Sequence, residues 1–354
     1  MSQMQNAQVV KLQKHGKYAT TVTLKVDATE PIINKKSGQF INIELDIDGK
    51  SYSRSYSLHN AHKTIYPQFT VKRVKDGVVS NYIFEHLKEG DKIRISNPNG
   101  KFFINSDANK YRTHYFFAAG SGITPIFCMI NDLLENEPHS AVYLFYGNQD
   151  TKQILFKDEL TNNVEKYPNR FYMAHALSSS FWGASKVGGL PAFTGIIDKK
   201  KVKWLFENCP PVAQEVVYYV CGPGTMNTDI SNILQELDVP ESLIKMESYN
   251  PTSSVPVSSN GNGEAKLLYT LDDERWETVV PSGKTLLQTL KDDGINVPHS
   301  CQAGICGMCA AQLKKGTVKM GNNFVLTDDE IADGKILCCQ SVATSPELEI
   351  EFDD

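Results

Sequence analysis

Three cysteines, Cys301, Cys306 and Cys309, stand within nine residues, and Cys339 follows after twenty-nine more. This C-x4-C-x2-C pattern with a distant fourth cysteine is the spacing that holds a [2Fe–2S] cluster. Two irons sharing two sulfides require four thiolates. One tight loop supplies three of them, because Gly304 and Gly307 let the backbone fold close around inorganic sulfur and aim N–H groups at it. The fourth must come from another element. Structural zinc usually pairs two short knuckles, and this chain has a single C-x2-C. Disulfides are disfavoured by a polar N-terminus without an apolar signal region. No run of eighteen apolar residues is present, so the expectation is a soluble, cytoplasmic protein with reduced thiols.

The fourth ligand has two candidates, Cys338 and Cys339. Residues 335–341 are expected to form a short strand, where neighbours face opposite ways and only one of the pair meets the metal. The loop resembles that of plant-type ferredoxins, and this resemblance assigns the ligand set Cys301, Cys306, Cys309 and Cys339. Cys338 then occupies a position where that family has a small hydroxyl residue.

At 354 residues the chain suits two or three domains. A net charge of −5 and a pI near 5.9 argue against nucleic acid as the main partner. The charge is uneven: residues 1–110 carry a net +7, residues 111–263 a net −4 and residues 264–354 a net −8. The basic first part and acidic last part would attract each other, or the acidic face would serve an external protein; plain solvated faces are an equal alternative.

Over residues 1–110, six alternating runs read as strands at 7–14, 18–26, 39–47, 53–58, 69–73 and 92–96. One helix is expected over 80–88, with Ser80 as its N-cap. Six strands and a helix fit a small antiparallel six-stranded β-barrel. Inside it lies Arg54-Ser55-Tyr56-Ser57-Leu58, in which a guanidinium suited to gripping phosphate stands beside a flat aromatic ring. Val71-Lys72 follows, and then Gly77-Val78-Val79-Ser80, a glycine turn just before a helix start, where free N–H groups favour an anion.

This set resembles the FAD-binding domain of the ferredoxin–NADP reductase family. The resemblance implies that Arg54 binds the FAD phosphate, Tyr56 stacks on the flavin and Ser57 lies near flavin N5. It places Lys72 along the ribityl chain and Gly77 and Ser80 in the pyrophosphate loop. Leu58, Val71, Val78 and Val79 belong to the same binding set.

From residue 111 the rhythm becomes strand–helix alternation, implying an α/β domain with a parallel sheet over 111–249. Strands are expected at 115–119, 141–147, 171–176 and 216–221, and helices at 125–135, 156–166 and 228–237. Gly120-Ser121-Gly122-Ile123-Thr124-Pro125 follows the first strand, where glycines let a nucleotide pyrophosphate approach a helix start. Pro125 suits the first helical turn. The run resembles the reductase family's Gly-x-Gly-x-x-Pro, and Cys221-Gly222-Pro223 resembles its Cys-Gly-Pro. The resemblance implies a NAD(P) site on Gly120, Gly122, Thr124, Pro125, Cys221, Gly222 and Pro223, with Thr124 and Cys221 beside the nicotinamide. It also brings Glu247 and Tyr249 over the flavin, so that Ser57, Thr124, Cys221 and Glu247 surround the hydride transfer. Cys128 and Cys209 are expected to be structural. Leu177-Ser178-Ser179-Ser180 and Gln149 lack the arginine that favours a 2′-phosphate, which leans toward NADH, whereas the relatives this chain resembles use NADPH.

Residues 250–263, rich in Gly, Ser, Asn and Pro, read as a flexible linker. A hairpin over 266–280, a helix over 285–292 ending at Gly294, the cysteine loop and a last strand over 348–352 fit an α+β β-grasp ferredoxin domain over 264–354. His299 alone cannot make a Rieske centre, which needs two histidines, and is expected at the surface.

The expected whole is a multidomain electron-transfer reductase in the order NAD(P)H, FAD, [2Fe–2S]. Its electrons go to an oxygenase or hydroxylase protein, with neither nucleic acid nor membrane as a partner. Tyr146-Gly147-Asn148, Lys166-Tyr167-Pro168 and the tail from Leu326 to Gln340 resemble reductase components of the phenylacetyl-CoA epoxidase type. That implies a di-iron monooxygenase partner. Reductases of ring hydroxylases or desaturases, a free flavin reductase, and a redox-sensing or zinc-stabilised binding module are the alternatives.

Overall fold

The computed structural model describes residues 4–60, 63–179, 186–249, 264–271, 273–299 and 301–352. The expected linker at 250–263 lies outside these residues, as do Ser180 and Ser300.

Strands β1 (Gln5–His15), β2 (Ala19–Lys25), β3 (Phe40–Ile47), β4 (Lys50–Ser57), β5 (Gln68–Lys72) and β6 (Lys92–Ile95) form an antiparallel sheet in the order β4-β3-β6-β1-β2-β5. On β3 every second residue, Ile41, Ile43, Leu45 and Ile47, enters one core with Val9, Val22, Leu24 and Phe69. The end strands meet through a bridge between Leu58 and Phe69. The sheet thus curls into a barrel whose wall stays open as a slit between the rest of β4 and β5.

Helix α1 (Val78–Glu85) covers one end of the slit, burying Val79 and Ile83. It starts at an extended Gly77 N-cap, so Ser80 is not the cap expected from sequence but lies inside the first turn. The reason is local. Ser80 Oγ donates to the Gly77 carbonyl (3.3 Å) and accepts from Val74 N–H (3.2 Å), while Asn81 Nδ2 donates to the Gly77 carbonyl (2.7 Å).

The second sheet contains β7 (Arg112–Ala119), β8 (Ala141–Asn148), β9 (Phe171–Leu177), β10 (Lys186–Val187), β11 (Leu190–Thr194), β12 (Glu215–Cys221) and β13 (Ile244–Glu247) in the order β10-β11-β9-β8-β7-β12-β13. It is parallel except for β10, which pairs antiparallel with β11. Helices α2 (Ile123–Asn136), α3 (Lys157–Lys166), α4 (Lys199–Asn208) and α5 (Met226–Gln235) flank it. The chain leaves β7 toward β8 on one side and returns as β12 on the other. The crevice at the carboxyl ends of β7 and β12 is therefore the topological switch point.

The third sheet has the order β15-β14-β20-β16-β18, from β14 (Ala265–Leu271), β15 (Glu274–Val280), β16 (Ala310–Lys315), β18 (Lys335–Leu337) and β20 (Glu347–Phe352). Helix α6 (Leu286–Asp292) packs Leu286, Leu287 and Leu290 into its core, with Thr285 Oγ1 accepting from Gln288 N–H at 3.2 Å as the cap. A small pair, β17 (Val318–Met320) and β19 (Ser341–Ala343), lies alongside, and α7 (Asp328–Ala332) carries a Thr327/Glu330 capping box.

One buried ionic cluster ties α2 to the start of β7. Glu137 is fully buried after the last turn of α2 and accepts hydrogen bonds from Arg112 Nε (2.9 Å), His114 Nε2 (3.2 Å) and Ser140 Oγ. Burial alone would raise its carboxyl pKa, but these donors outweigh it and hold the group well below its ordinary 4.5. The stabilisation is therefore present above pH 4.5 and lost as pH falls below it. Glu137→Leu strands Arg112 and His114 and is expected to cost about 3–5 kcal/mol. A lower urea midpoint at pH 7, with a flatter acid limb, checks this; an unchanged midpoint contradicts it.

Candidate functional site

Three places of distinct chemistry lie around the barrel and the crevice. The first is a cavity of about 340 Å³ at the slit. From β4 it takes Arg54, Tyr56 and Ser57, from β5 Lys72, and from the start of α1 Gly77, Val78, Val79 and Ser80. Tyr56 stacks on Phe69 at 5.2 Å, which fixes the plane of its ring. Arg54 is exposed and donates to the Ser53 carbonyl at 2.7 Å. Leu58 and Val71 do not line the cavity; they are buried in the barrel core behind it. A flat ring on one wall, a guanidinium at the rim and the first turn of a helix suit a flavin carrying a pyrophosphate.

The second is a cavity of about 350 Å³ at the switch point, lined by Gly120, Gly147, Gln149, Pro223, Thr225 and Asp229 among others. Residues 120–122 form a 3-10 turn leading directly into α2, whose first turn holds Thr124 and Pro125. A Cβ on Gly122 would lie 2.1 Å from the Cys221 carbonyl oxygen, so the two loops touch through the missing side chain. Gly222 is equally tight: its Cβ would meet Met226 Sδ at 2.2 Å. Lys72 lines both cavities and joins them; burial lowers its pKa.

Tyr249 lines the first cavity. Its hydroxyl lies 2.9 Å from Ser57 Oγ and 3.1 Å from Thr124 Oγ1, linking the barrel to the parallel sheet. Cys221 is fully buried beside it, its thiol pKa pushed well up by burial and then by Glu247. Glu247 ends β13 at 3% exposure, and burial raises its carboxyl to about 8. Burial thus favours the neutral form of this carboxyl. Of the four residues expected around a hydride transfer, Ser57 and Thr124 share the Tyr249 hydroxyl, and Cys221 and Glu247 are buried. In sequence Tyr249 reads only as a cover; its linking role is invisible there because Ser57 and Thr124 are 192 and 125 residues away. Gln149, singled out in sequence at the 2′-phosphate position, does line the second cavity, whereas Thr225 and Asp229 escape sequence reading because no motif marks them.

The third place is the cysteine loop. N–H groups of Ala303, Ile305 and Cys306 point at Cys301 Sγ from 3.4, 3.4 and 3.3 Å, and Cys339 N–H points at Cys309 Sγ from 3.5 Å. The Cys306 thiol, and then these N–H groups working against burial, lower Cys301 to about 5. Gly304 has a φ of +78°, and a Cβ there would meet the Asn322 carbonyl at 2.2 Å. The thiols stand as two hydrogen-bonded pairs, Cys301 with Cys306 and Cys309 with Cys339. Among the described residues no three ligating side chains close on one point. Two irons need two cysteines each, and the two thiol pairs fit that donor set.

Cys338 and Cys339 do not lie on a strand as expected. β18 ends at Leu337, and residues 338–340 form a turn, with Gln340 N–H donating to the Leu337 carbonyl at 2.9 Å. The turn, not strand alternation, separates them. Cys338 is sealed in the core and its N–H donates to the Cys309 carbonyl at 3.0 Å. His299 is half-buried rather than on the surface, its Nδ1 donating to the Val297 carbonyl at 2.8 Å. Cys128 and Cys209 are packed in cores.

Comparison with known proteins gives the same three parts. Residues 6–104 match an oxidoreductase FAD-binding domain, residues 116–232 an oxidoreductase NAD-binding domain, and residues 269–344 a 2Fe-2S iron-sulfur cluster binding domain. The chain is 26% identical to a subunit of 1,2-phenylacetyl-CoA epoxidase of Escherichia coli, covering 100% of this chain and 99% of that one. It is 31% identical to the ferredoxin reductase component of 3-ketosteroid-9-alpha-monooxygenase of Rhodococcus rhodochrous, over 90% and 88% of the two chains. Phthalate dioxygenase reductase shares the fold at a TM-score of 0.56 and 22% identity, over 99% and 98% of the chains. No helix among the described residues is long and apolar enough to cross a membrane. The chain therefore belongs to the family of flavin-dependent NAD(P)H reductases in which FAD-binding, NAD-binding and 2Fe-2S domains follow one another in one polypeptide.

Proposed function

We propose that this reductase supplies electrons to a monooxygenase of the phenylacetyl-CoA epoxidase type. The observation that carries the reading is the end-to-end match to a component of that enzyme, which leaves about 1% of the relative unmatched. Flavin, when bound, takes electrons in pairs from NAD(P)H and releases them singly, which is what a one-electron cluster requires. Arg54 and the N–H groups of Val78, Val79 and Ser80 hold the FAD phosphates, and Tyr56 supports the ring. Gly120, Gly122 and the loop at Cys221–Pro223 admit the nucleotide. Tyr249 lies where the two rings must meet, so entry of the nicotinamide displaces its contacts with Ser57 and Thr124. Glu247 holds a proton behind Cys221. Cys301, Cys306, Cys309 and Cys339 hold the cluster.

Steroid and glycine betaine monooxygenase reductases, at 31% and 27% identity, support a second reading with a different acceptor. Reconstitution with purified oxygenase components separates them. The expected outcome is NAD(P)H-dependent product formation with the epoxidase oxygenase at least tenfold faster than with a ring-hydroxylating oxygenase; the reverse order contradicts the proposal. For the ligands, Cys339→Ser is expected to abolish iron binding and Cys338→Ser to retain it, measured as iron and acid-labile sulfide per chain.

Glu247 gives a pH test that does not depend on turnover. Its folded-state value near 8 exceeds the ordinary 4.5, so the neutral form stabilises the fold fully below pH 4.5, and that contribution fades as pH rises toward 8. Glu247→Gln should flatten this fall in denaturation midpoint across pH 4.5–8. A variant that keeps the wild-type slope means Glu247 ionises normally.

A further inference from the structure

On β3 the residues facing away from the barrel core are Phe40, Asn42, Glu44 and Asp46. Glu44 is half-buried and Asp46 exposed, as outward residues should be, yet Phe40 and Asn42 are only 3% and 1% exposed. What covers them is the cluster-bearing unit. Phe40 packs in its core with Cys309, Val325, Leu326 and Phe352. Asn42 Nδ2 donates to the Cys306 carbonyl at 2.9 Å, across 264 residues of sequence.

The amide is aimed by the barrel. Asn42 Oδ1 accepts from Ser55 Oγ at 2.6 Å, and Ser55 sits directly opposite on β4, one residue before Tyr56. The Asn42 backbone is also held: its N–H donates to Ser96 Oγ and its carbonyl accepts from Ser96 N–H, each at 2.9 Å. Every polar atom of this buried residue is thus paired, and its one bond leaving the barrel ends on a cluster cysteine. A fully satisfied buried amide fixes geometry more sharply than apolar packing, because misplacement strands a donor and an acceptor together.

We propose that Asn42 is a positioning residue for electron transfer, locking the Cys301–Cys309 loop against the outer face of the β3–β4 pair, beside the cavity that β4 lines with Arg54, Ser55, Tyr56 and Ser57. The proposal rests on the reading that flavin occupies the Arg54–Ser80 cavity. Each hydride from NAD(P)H brings two electrons and a proton; the electrons cross this contact one at a time, two crossings per nucleotide oxidised, and the proton is released to solvent. The bridge Tyr56–Ser55–Asn42–Cys306 is the short bonded link between the two cofactor sites.

The test uses the full chain loaded with FAD and iron. Asn42→Asp keeps the size and the Ser55 contact but sets an oxygen against the Cys306 carbonyl; Asn42→Ala serves if that variant does not fold. Stopped-flow spectra with NADH and NADPH should show flavin bleaching at the wild-type rate and cluster reduction slowed tenfold or more. Solution scattering without nucleotide should show a larger radius of gyration as the loop undocks. Cluster reduction at the wild-type rate with unchanged scattering overturns the proposal. Equal slowing of flavin bleaching and cluster reduction also overturns it, since Asn42 would then shape the flavin cavity and not the contact. Wild-type chain that retains no FAD would instead refute the flavin reading on which the proposal rests.

Discussion

The pairing register of β3 with β4 is the constraint on which the rest depends. Ile41 stands opposite Tyr56 and Asn42 opposite Ser55. One face of this pair therefore presents a stacking ring to the slit, and the other presents a buried amide to the cysteine loop. Side chains alternate with a period of two, so a slip of β3 by one residue would turn Asn42 into the apolar core and away from the cysteine loop. The register is held because Ile41, Ile43, Leu45 and Ile47 all lose their burial in the slipped pairing. Hydrophobic burial in a small barrel thus fixes Tyr56 toward the slit and Asn42 against the Cys306 carbonyl.

The remaining geometry follows from closures that stop short of completion. The barrel wall stays open between β4 and β5 beyond the Leu58–Phe69 bridge, and the parallel sheet has its crevice where the chain reverses direction. Tyr249 lines the slit cavity with its hydroxyl shared by Ser57 and Thr124. Glycine at 122 and 304 lets backbone approach backbone where a methyl group would collide with a carbonyl. These close approaches leave room for ligands without loosening the cores around them.

Much of this is legible in the chain itself because the signals are local. The cysteine spacing, the Arg54–Leu58 run and the Gly-x-Gly before an apolar helix each concern residues that are neighbours in sequence, and they place all three parts in order. What escapes is non-local or lacks periodicity. Helix α4 is lysine-rich, with Val202 and Leu205 its buried residues, and is announced chiefly by the Asp198 cap. Ser80 reads as a cap because a helix start two residues earlier depends on Asn81 bonding back to Gly77. Leu58 and Val71 carry the right motif but face the core. The separation of Cys338 from Cys339 is made by a turn that strand alternation could not foresee. Asn42 looks like an ordinary polar residue on an outward face until the distant loop that covers it is in place.

The central claim is that pyridine nucleotide, flavin and iron form one path for electrons within this chain. Anaerobic titration of the purified protein with NADH or NADPH, followed by low-temperature electron paramagnetic resonance, tests it most directly. The account predicts that the signal of a reduced two-iron cluster grows as nucleotide is added and the flavin bleaches. A flavin that bleaches while the iron stays oxidised and silent at every nucleotide concentration would contradict it.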